Sequence, residues 1–166
     1  MSLKHYYTTT LGSSQASITV SSIPQNGSDL LIKVSARGTG TGVYNNIEFQ
    51  LNGTSTLDSG YILRMQDTTL SGTEYAFSSG SIMVGNGSTS GMFGVADFYV
   101  TNYTSSTLNK GISQIATADS PQTSNTYSIH KQLGRSNQTS PITSVYIAGT
   151  LPFTAGTTIS VYTINN

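Results

Sequence analysis

Residues 92–103, with the sequence MFGVADFYVTNY, constrain the fold of this chain more than any other stretch. Apolar side chains recur at even positions, at Met92, Ala96, Phe98 and Val100. A period of two residues is typical of a strand that buries one face and exposes the other to solvent. Because no proline or pair of glycines interrupts the stretch, we predict a long central strand with partner strands laid beside it.

Similar alternation recurs along the chain between turn-forming residues. The segments that show it, with the side chains expected to face the core, are 15–22 (Ala16, Ile18, Val20), 29–36 (Leu30, Ile32, Val34), 44–51 (Ile47, Phe49, Leu51) and 61–65 (Tyr61, Leu63, Met65). Further strands are predicted over 4–10, 108–116, 127–133, 142–148 and 156–164, and one more in a loop-rich excursion at 66–91. Roughly nine to eleven short strands separated by turns are typical of an antiparallel sandwich or barrel. We predict an all-β fold with almost no helix, an antiparallel two-sheet sandwich that is jelly-roll-like.

Length and composition limit the classes of protein to which the chain can belong. Its 166 residues fit one sandwich domain, with residues 1–10 as an extended arm or an edge strand. The absence of cysteine excludes disulfides and thiolate metal sites. Seven basic residues balance seven acidic ones, which disfavours nucleic-acid binding. No apolar run approaches the about 20 residues of a membrane helix or forms a signal peptide at 1–11, so we expect a soluble protein without membrane insertion or a cleavable signal.

Catalytic and metal-binding patterns are sparse. His5 and His130 are the two histidines, and neither lies in a recognisable frame with a serine and a carboxylate, so both are expected on exposed strand faces. A triad assembled through the fold stays open as an alternative. The seven carboxylates are scattered singly, which disfavours a glycosidase pair or a local calcium loop, although distant loops could together hold calcium. We therefore predict a protein that is not an enzyme and has no cofactor and no metal site.

Asp97 interrupts the most apolar of the predicted strands. The expected orientation of its side chain is outward, beside Tyr99, where the carboxylate stays solvated. The alternative is an inward charge, which would need a partner such as Arg37 or Arg64.

Two glycine-rich segments are candidate binding loops. Neither a lysine nor a predicted helix follows residues 38–42, so a phosphate cradle is disfavoured there and a flexible loop is expected. Within the second segment, 85–91, residues 87–91 depart from the spacing of a nucleophile elbow and no helix is predicted after them, so a mobile loop is expected there. The residues that we single out as candidate binding loops are Gly38, Gly40, Gly42, Gly85, Asn86 and Gly87.

The ten tyrosines are the remaining functional signal. A ring with a polar tip suits a protein interface or a stacking platform for a sugar, but tyrosine also has an ordinary preference for strands. Tyr6 and Tyr7 lie together near the N-terminus. They are the candidate residues for contact with a neighbouring subunit.

Several stretches of the sequence resemble a known family. They are GSSQASITVSSIPQ at 12–25, LLIKVSAR at 30–37, FYVTNYTSS at 98–106, ITSVYIAG at 142–149 and FTAGTTISVY at 153–162. These patterns of strands and turns span most of the chain from about Tyr7 onward. They are similar to those of the small β-rich virion proteins of tailed bacteriophages.

The resemblance implies a structural role in a virion that is assembled in the host cytoplasm. Members of the family occur on phage heads and tails and as terminal modules of fibres. A chain of this length without a fibre-forming repeat resembles a capsid decoration or cement protein bound to the head surface. The implied partners are the major capsid protein or other virion proteins, and the implied assembly is a homo-oligomer, a trimer or a dimer. The alternative function is a receptor- or carbohydrate-binding module of a tail fibre or spike that contacts a host-surface glycan.

Overall fold

The computed structural model describes residues 2–54, 59–66, 69–76, 81–118 and 128–165 of the chain. These residues form strands and turns, and among them no helix is long and apolar enough to span a membrane. The strands are β1 (Ser2–Thr10), β2 (Gln15–Val20), β3 (Asp29–Ala36), β4 (Tyr44–Leu51), β5 (Ser59–Gln66), β6 (Thr69–Ala76), β7 (Ser81–Val84), β8 (Gly94–Val100), β9 (Lys110–Ala118), β10 (Ser128–Ser136), β11 (Val145–Phe153) and β12 (Thr158–Asn165).

The strands form two antiparallel sheets. The first sheet has eight strands in the order β1-β12-β3-β8-β9-β10-β5-β6, and the second has four strands in the order β2-β11-β4-β7. Neighbouring strands run antiparallel in both sheets. The predicted all-β class is therefore confirmed.

The strand pairing is nested. The first strand pairs with the last, β1 with β12, and the next pairs inward are β2 with β11, β3 with β8, and β4 with β7. Successive pairs alternate between the two sheets, as in a long hairpin that rolls up into a jelly roll. The other four strands are two hairpins, β5–β6 and β9–β10, that extend the first sheet beyond β8. The jelly-roll-like prediction is confirmed by this order.

The core lies between the two sheets. Ile32 and Phe98 of the first sheet and Ile47 and Phe49 of the second are fully buried. The rings of Phe49 and Phe98 stack with their centroids 4.4 Å apart and their planes 13° apart, which joins the middle of one sheet to the other. The inward faces predicted for residues 29–36 and 44–51 are confirmed.

The predicted central strand is β8, which lies between β3 and β9 near the middle of the eight-stranded sheet. Ala96, Phe98 and Val100 are buried as predicted. Met92 is exposed because it precedes the strand, so its predicted inward orientation is wrong. Ala16 is also exposed, because it lies at the solvated start of β2.

Two parts of the fold differ from the sequence prediction. Residues 66–91 contain β6 and β7 rather than one strand, because the threonine- and glycine-containing β6 pairs with β5 without an alternating apolar pattern. The described residues thus hold twelve strands. At the N-terminus the chain forms the edge strand β1 and not an arm. The predicted facing of Tyr61, Leu63 and Met65 lies outside the side chains that the structure describes.

Strand β10 has an inverted polarity. Its even positions face the core, where His130 and Gln132 are buried, whereas Ile129 and Leu133 are exposed. The predicted exposure of His130 is therefore wrong. The antiparallel register explains the burial, because it sets His130 beside Ala116, which lies on the inner face of β9.

Candidate interaction surfaces

The two glycine-rich segments meet at one end of the sandwich. The backbone hydrogen bonds that join them run from Gly38 N to Val84 O (2.7 Å), Gly85 N to Val43 O (2.9 Å), Asn86 N to Gly40 O (2.7 Å) and Gly87 N to Gly42 O (3.0 Å). The structure therefore brings the six predicted loop residues together. We call this surface, made of residues 38–44 and 84–92, the loop end.

Glycine is required at Gly85 because the two segments approach closely. A Cβ atom at this position would collide with the carbonyl oxygen of Gly42 in the facing segment. Gly87 is in the same situation against the carbonyl oxygen of Thr41. These carbonyl groups belong to the backbone and cannot turn aside as a flexible side chain can. A larger residue would therefore force the two segments apart.

We expect Gly85→Ala to lower the free energy of unfolding by about 1–3 kcal/mol, because the added methyl group meets fixed backbone atoms. Gly12→Ala is the matched control, since no atom lies within 4 Å of the position its Cβ would take. That change should be neutral or stabilise the protein by up to about 1 kcal/mol. Urea denaturation of both variants beside the wild type measures the difference. Equal stability of the two variants would contradict the close approach of the segments.

A buried arginine orders the second segment of the loop end. Arg37 follows β3 and is only 7% exposed. Its guanidinium group donates to four backbone carbonyl oxygens, with Nη1 bound to Thr89 (2.8 Å) and Met92 (2.9 Å), and Nη2 to Asn86 (3.2 Å) and Ser88 (3.3 Å). The planar fork of the guanidinium group lets one side chain hold several acceptors. Contrary to the predicted mobile loop, residues 86–92 are tied to a buried cation.

Three large apolar side chains are exposed on the loop end or next to it. Tyr44 ends the first segment, Met92 ends the second, and Leu151 of β11 lies beside Gly40. Exposed apolar groups on ordered loops are typical of a contact surface. The charged group of this region, Arg37, is buried and already hydrogen-bonded. The arrangement therefore suits the binding of another surface rather than proton transfer.

Tyr6 and Tyr7 lie on β1, at the edge of the first sheet. The Tyr6 hydroxyl donates to the carbonyl oxygens of Ser21 and Ser22 at 2.9 and 3.0 Å, and both rings pack against the core. A shift in the pairing register between His5 and Tyr7 accompanies this packing of two consecutive tyrosines. The Tyr6 hydroxyl thus joins the edge strand to the segment after β2. The contact of Tyr6 and Tyr7 with a neighbouring subunit stays a prediction.

No family model, curated protein or solved structure matches the chain. The fold assignment therefore rests on the strand order of the molecule itself. The resemblance to bacteriophage virion proteins rests on the strand and turn patterns of the sequence, and it stays a prediction.

Burial and hydrogen bonding shift the pKa of groups away from the loop end. Tyr99 donates to Oδ2 of Asp29 at 2.7 Å, and this bond, together with burial, raises the pKa of Tyr99 to about 12. Burial also raises the pKa of Tyr103. Burial lowers the pKa of Lys110, whose ammonium group donates to three backbone carbonyl oxygens at 2.7–2.9 Å. Because neighbouring groups of the fold hold each side chain, these shifts indicate structural roles.

The structure keeps the two histidines apart. His5 is exposed on β1, where its Nε2 lies 2.8 Å from Oγ1 of Thr8 and its ring meets that of Tyr162 edge-on. His130 is buried on β10, five strands away from β1 in the order of the sheet. Within the part of the chain that the structure describes, no three His, Asp or Glu side chains are grouped closely enough to hold a metal ion.

Sequence reasoning found the loop residues but missed the group that orders them. Arg37 stands directly after a buried strand and directly before a glycine run, and a cation at that junction is the signal that could have indicated it. The exposed leucine and isoleucine side chains of β10 were missed as well. The signal that could have indicated them is that the opposite face of the same strand also carries few apolar residues, with His130, Gln132 and Ser136 on it.

Proposed function

We propose that this protein is a non-enzymatic structural protein of a tailed-bacteriophage virion, a capsid decoration or cement protein that binds the head surface. The jelly-roll order of its strands carries this proposal, because viral capsid domains share that architecture. Lectin domains and cupins share it too, so a likeness of fold does not by itself assign the function. The head location follows the resemblance of the sequence.

The surfaces of the molecule fit a protein that binds other proteins. In the described sheets β1 and β6 end the larger one, and β2 and β7 end the smaller one, so each has an outer edge of backbone groups. A strand of a shell protein can pair with such an edge. The loop end adds ordered loops with exposed apolar side chains. Many copies on a symmetric shell would add contacts that are individually weak.

A receptor- or carbohydrate-binding module of a tail fibre or spike is the second candidate. The loop end favours it through Tyr44, which is exposed and can stack on a sugar ring. Carbohydrate binding predicts several exposed rings in one concave patch. Among the tyrosines whose side chains the structure describes, Tyr44 is the exposed one, and the others are partly or fully buried. We therefore place the decoration protein first.

Labelling of intact particles tests the proposal. Phage particles from a culture that carries this sequence are labelled with an antibody raised against the purified protein and viewed by electron microscopy. We expect label over the heads. Label confined to the tail end would favour the second candidate, and particles without the protein would contradict both.

A glycan array tests the second candidate directly. The wild-type protein and Tyr44→Ala are applied in parallel, because loss of the exposed ring should abolish sugar stacking and leave the fold intact. For a decoration protein we expect no sugar-specific signal from either protein. A signal from the wild type that Tyr44→Ala loses would count against a purely structural function.

A further inference from the structure

The outer face of strands β8, β9 and β10 exposes large apolar side chains. Val95, Ile115, Ile129 and Leu133 are between 44% and 53% exposed, and antiparallel pairing sets their strands side by side. We call this surface the outer apolar face, defined by Val95, Asp97 and Tyr99 of β8, Ser113, Ile115 and Thr117 of β9, and Ile129, Lys131 and Leu133 of β10. Several large exposed apolar side chains on neighbouring strands, with polar residues between them, are typical of an interaction site on a folded protein.

The inner face of β10 is polar although it is buried, and Gln114 of β9 lies beside it. Gln114 and Gln132 are almost fully buried there, and neither amide atom of Gln132 has a hydrogen-bond partner within the part of the chain that the structure describes. An antiparallel sheet with one solvated face normally has apolar residues inside and polar residues outside. The inversion leaves Ile129 and Leu133 in water while an amide is buried beside the core. Coverage of the outer apolar face by another surface would explain this pattern.

The side chains of the outer apolar face form three rows across the strands. The register gives the rows Val95–Thr117–Ile129, Asp97–Ile115–Lys131 and Tyr99–Ser113–Leu133. In each row the residue on β8 complements the residue on β10. The first row has an apolar residue at both ends, the second has an acid and a base, and the third has a ring and a leucine.

A two-fold axis along β9 matches this pattern. A second copy placed face to face about such an axis lays its β10 over β8 and its β9 over β9. Val95 then faces Ile129 of the second copy, Asp97 faces Lys131, and Tyr99 faces Leu133, and Ile115 meets its own counterpart. Facing sheets pack about 10 Å apart, a distance that an aspartate and a lysine side chain span together.

We propose that the protein forms a homodimer through the outer apolar face, with the two-fold axis along β9. The contact is self-complementary, because Asp97 meets Lys131 twice. Asp97 points outward as predicted from the sequence, and its Oδ2 lies 2.7 Å from Nζ of Lys33, which holds the carboxylate on this face. The inference does not depend on the proposed virion function.

The dimer contact extends beyond the outer apolar face. The three strands of that face, about 4.8 Å apart and roughly 26 Å long, cover on the order of 400 Å², whereas a standard interface buries about 800 Å² of each partner. An axis along β9 also lays β3 of one copy over β5 of the other, and β12 over β6, which brings the covered area to roughly 900 Å². A shallow hollow of about 250 Å³ lies at one end, lined by Tyr99, Ser113, Leu133 and the backbone of Gly111 and Gly134. The two-fold arrangement brings Leu133 of the second copy over Tyr99, at the rim of this hollow.

Sedimentation velocity of the whole chain tests the proposal. The wild type should shift from 17.5 kDa to twice that mass as its concentration rises. Ile115→Asp sets two like charges opposite each other on the axis, and we expect the dissociation constant to rise at least about 100-fold. Leu151→Asp, at an exposed leucine beside the loop end, is the matched control and should leave the dimer intact. A wild type that stays monomeric, or an Ile115→Asp variant that dimerises as well as Leu151→Asp, would overturn the proposal.

A charge exchange tests the arrangement of the two copies. Lys131→Glu and Asp97→Lys should each weaken the dimer about 10-fold or more, because like charges then face each other twice. An equimolar mixture of the two variants should dimerise as the wild type does, since each copy supplies the charge that the other lacks. Circular dichroism checks that each variant is folded. A mixture of folded variants that stays monomeric would overturn the two-fold arrangement and favour a different protein as the occupant of this face.

Discussion

Replacing Phe98 by alanine is expected to lower the free energy of unfolding by about 3–5 kcal/mol. Phe98 lies on the central strand β8 and is fully buried, and its ring stacks on that of Phe49 across the two sheets. The substitution removes this ring contact and leaves a cavity between the sheets. Because β8 is paired on both sides, the surrounding backbone cannot move in to fill the space. Urea denaturation measures the loss.

Companion variants separate the sources of this effect. Phe98→Leu keeps most of the buried volume and should cost no more than about 1.5 kcal/mol. Leu3→Ala, at an exposed strand position, should stay within about 0.5 kcal/mol of the wild type. A double-mutant cycle with Phe49→Ala should give a coupling energy of about 0.5–1.5 kcal/mol for the ring pair. If Phe98→Ala costs no more than Leu3→Ala, the two sheets do not pack through these rings.

Arg37→Ala is expected to lower the free energy of unfolding by about 3 kcal/mol and to release residues 86–92. Each hydrogen bond from a charged donor is worth about 1.5–3 kcal/mol, but the freed carbonyl groups near the surface regain water, so the total is smaller than the sum. Arg37→Lys keeps the charge without the planar fork and should recover only part of the loss. Lys4→Ala, at an exposed cation of β1, should stay within about 0.5 kcal/mol.

Two measurements check the role of Arg37. Urea denaturation gives the free energy of unfolding, and amide hydrogen exchange reports on the loop end itself. The amides of Asn86 and Gly87 donate to the facing segment in the wild type. We expect their protection from exchange to be lost in Arg37→Ala and kept in Lys4→Ala. Unchanged protection at both amides would contradict the role assigned to Arg37.

The buried faces of β3, β4 and β8 follow from the sequence alone. Each of these strands carries mainly β-branched, leucine or aromatic side chains on the buried phase and mainly polar ones on the other, with Leu31 and Val95 as exceptions. A register shift by one residue would expose the whole buried apolar set. The number and spacing of such segments also favour a sandwich. The apolar residues of these strands thus indicate both the two-residue period of a strand and the face of the strand that is buried.

The structures of strands β6 and β10 do not follow from the apolar pattern of the sequence. In β6, with the sequence TLSGTEYA, no apolar alternation distinguishes a strand from a loop, and pairing with β5 decides the structure. In β10 the period is visible, but the apolar phase of Ile129 and Leu133 faces outward. Hydrophobic period identifies a strand, whereas its neighbours in the sheet decide which face is buried.

The loop end was only partly predictable for a related reason. Glycine content indicates close turns, and this located Gly85 and Gly87 correctly in loops. The guanidinium group of Arg37 holds residues 86–92 in place through hydrogen bonds to their backbone, although Arg37 lies about fifty residues earlier in the chain. A contact between such distant positions has no local pattern that would reveal it.

The nested strand order limits the sequence of events during folding. β12 lies between β1 and β3, and Ser2 pairs with Asn165, so the first strand has no neighbour in the described sheet until the last one is in place. At a synthesis rate of about 5–20 residues per second, the end of β12 is made roughly 8–30 seconds after the end of β1. High contact order of this kind also slows the folding of the finished chain. Until the eight residues of β12 have been synthesised, β1 therefore lacks its pairing partner and has to avoid pairing with strands of other nascent chains.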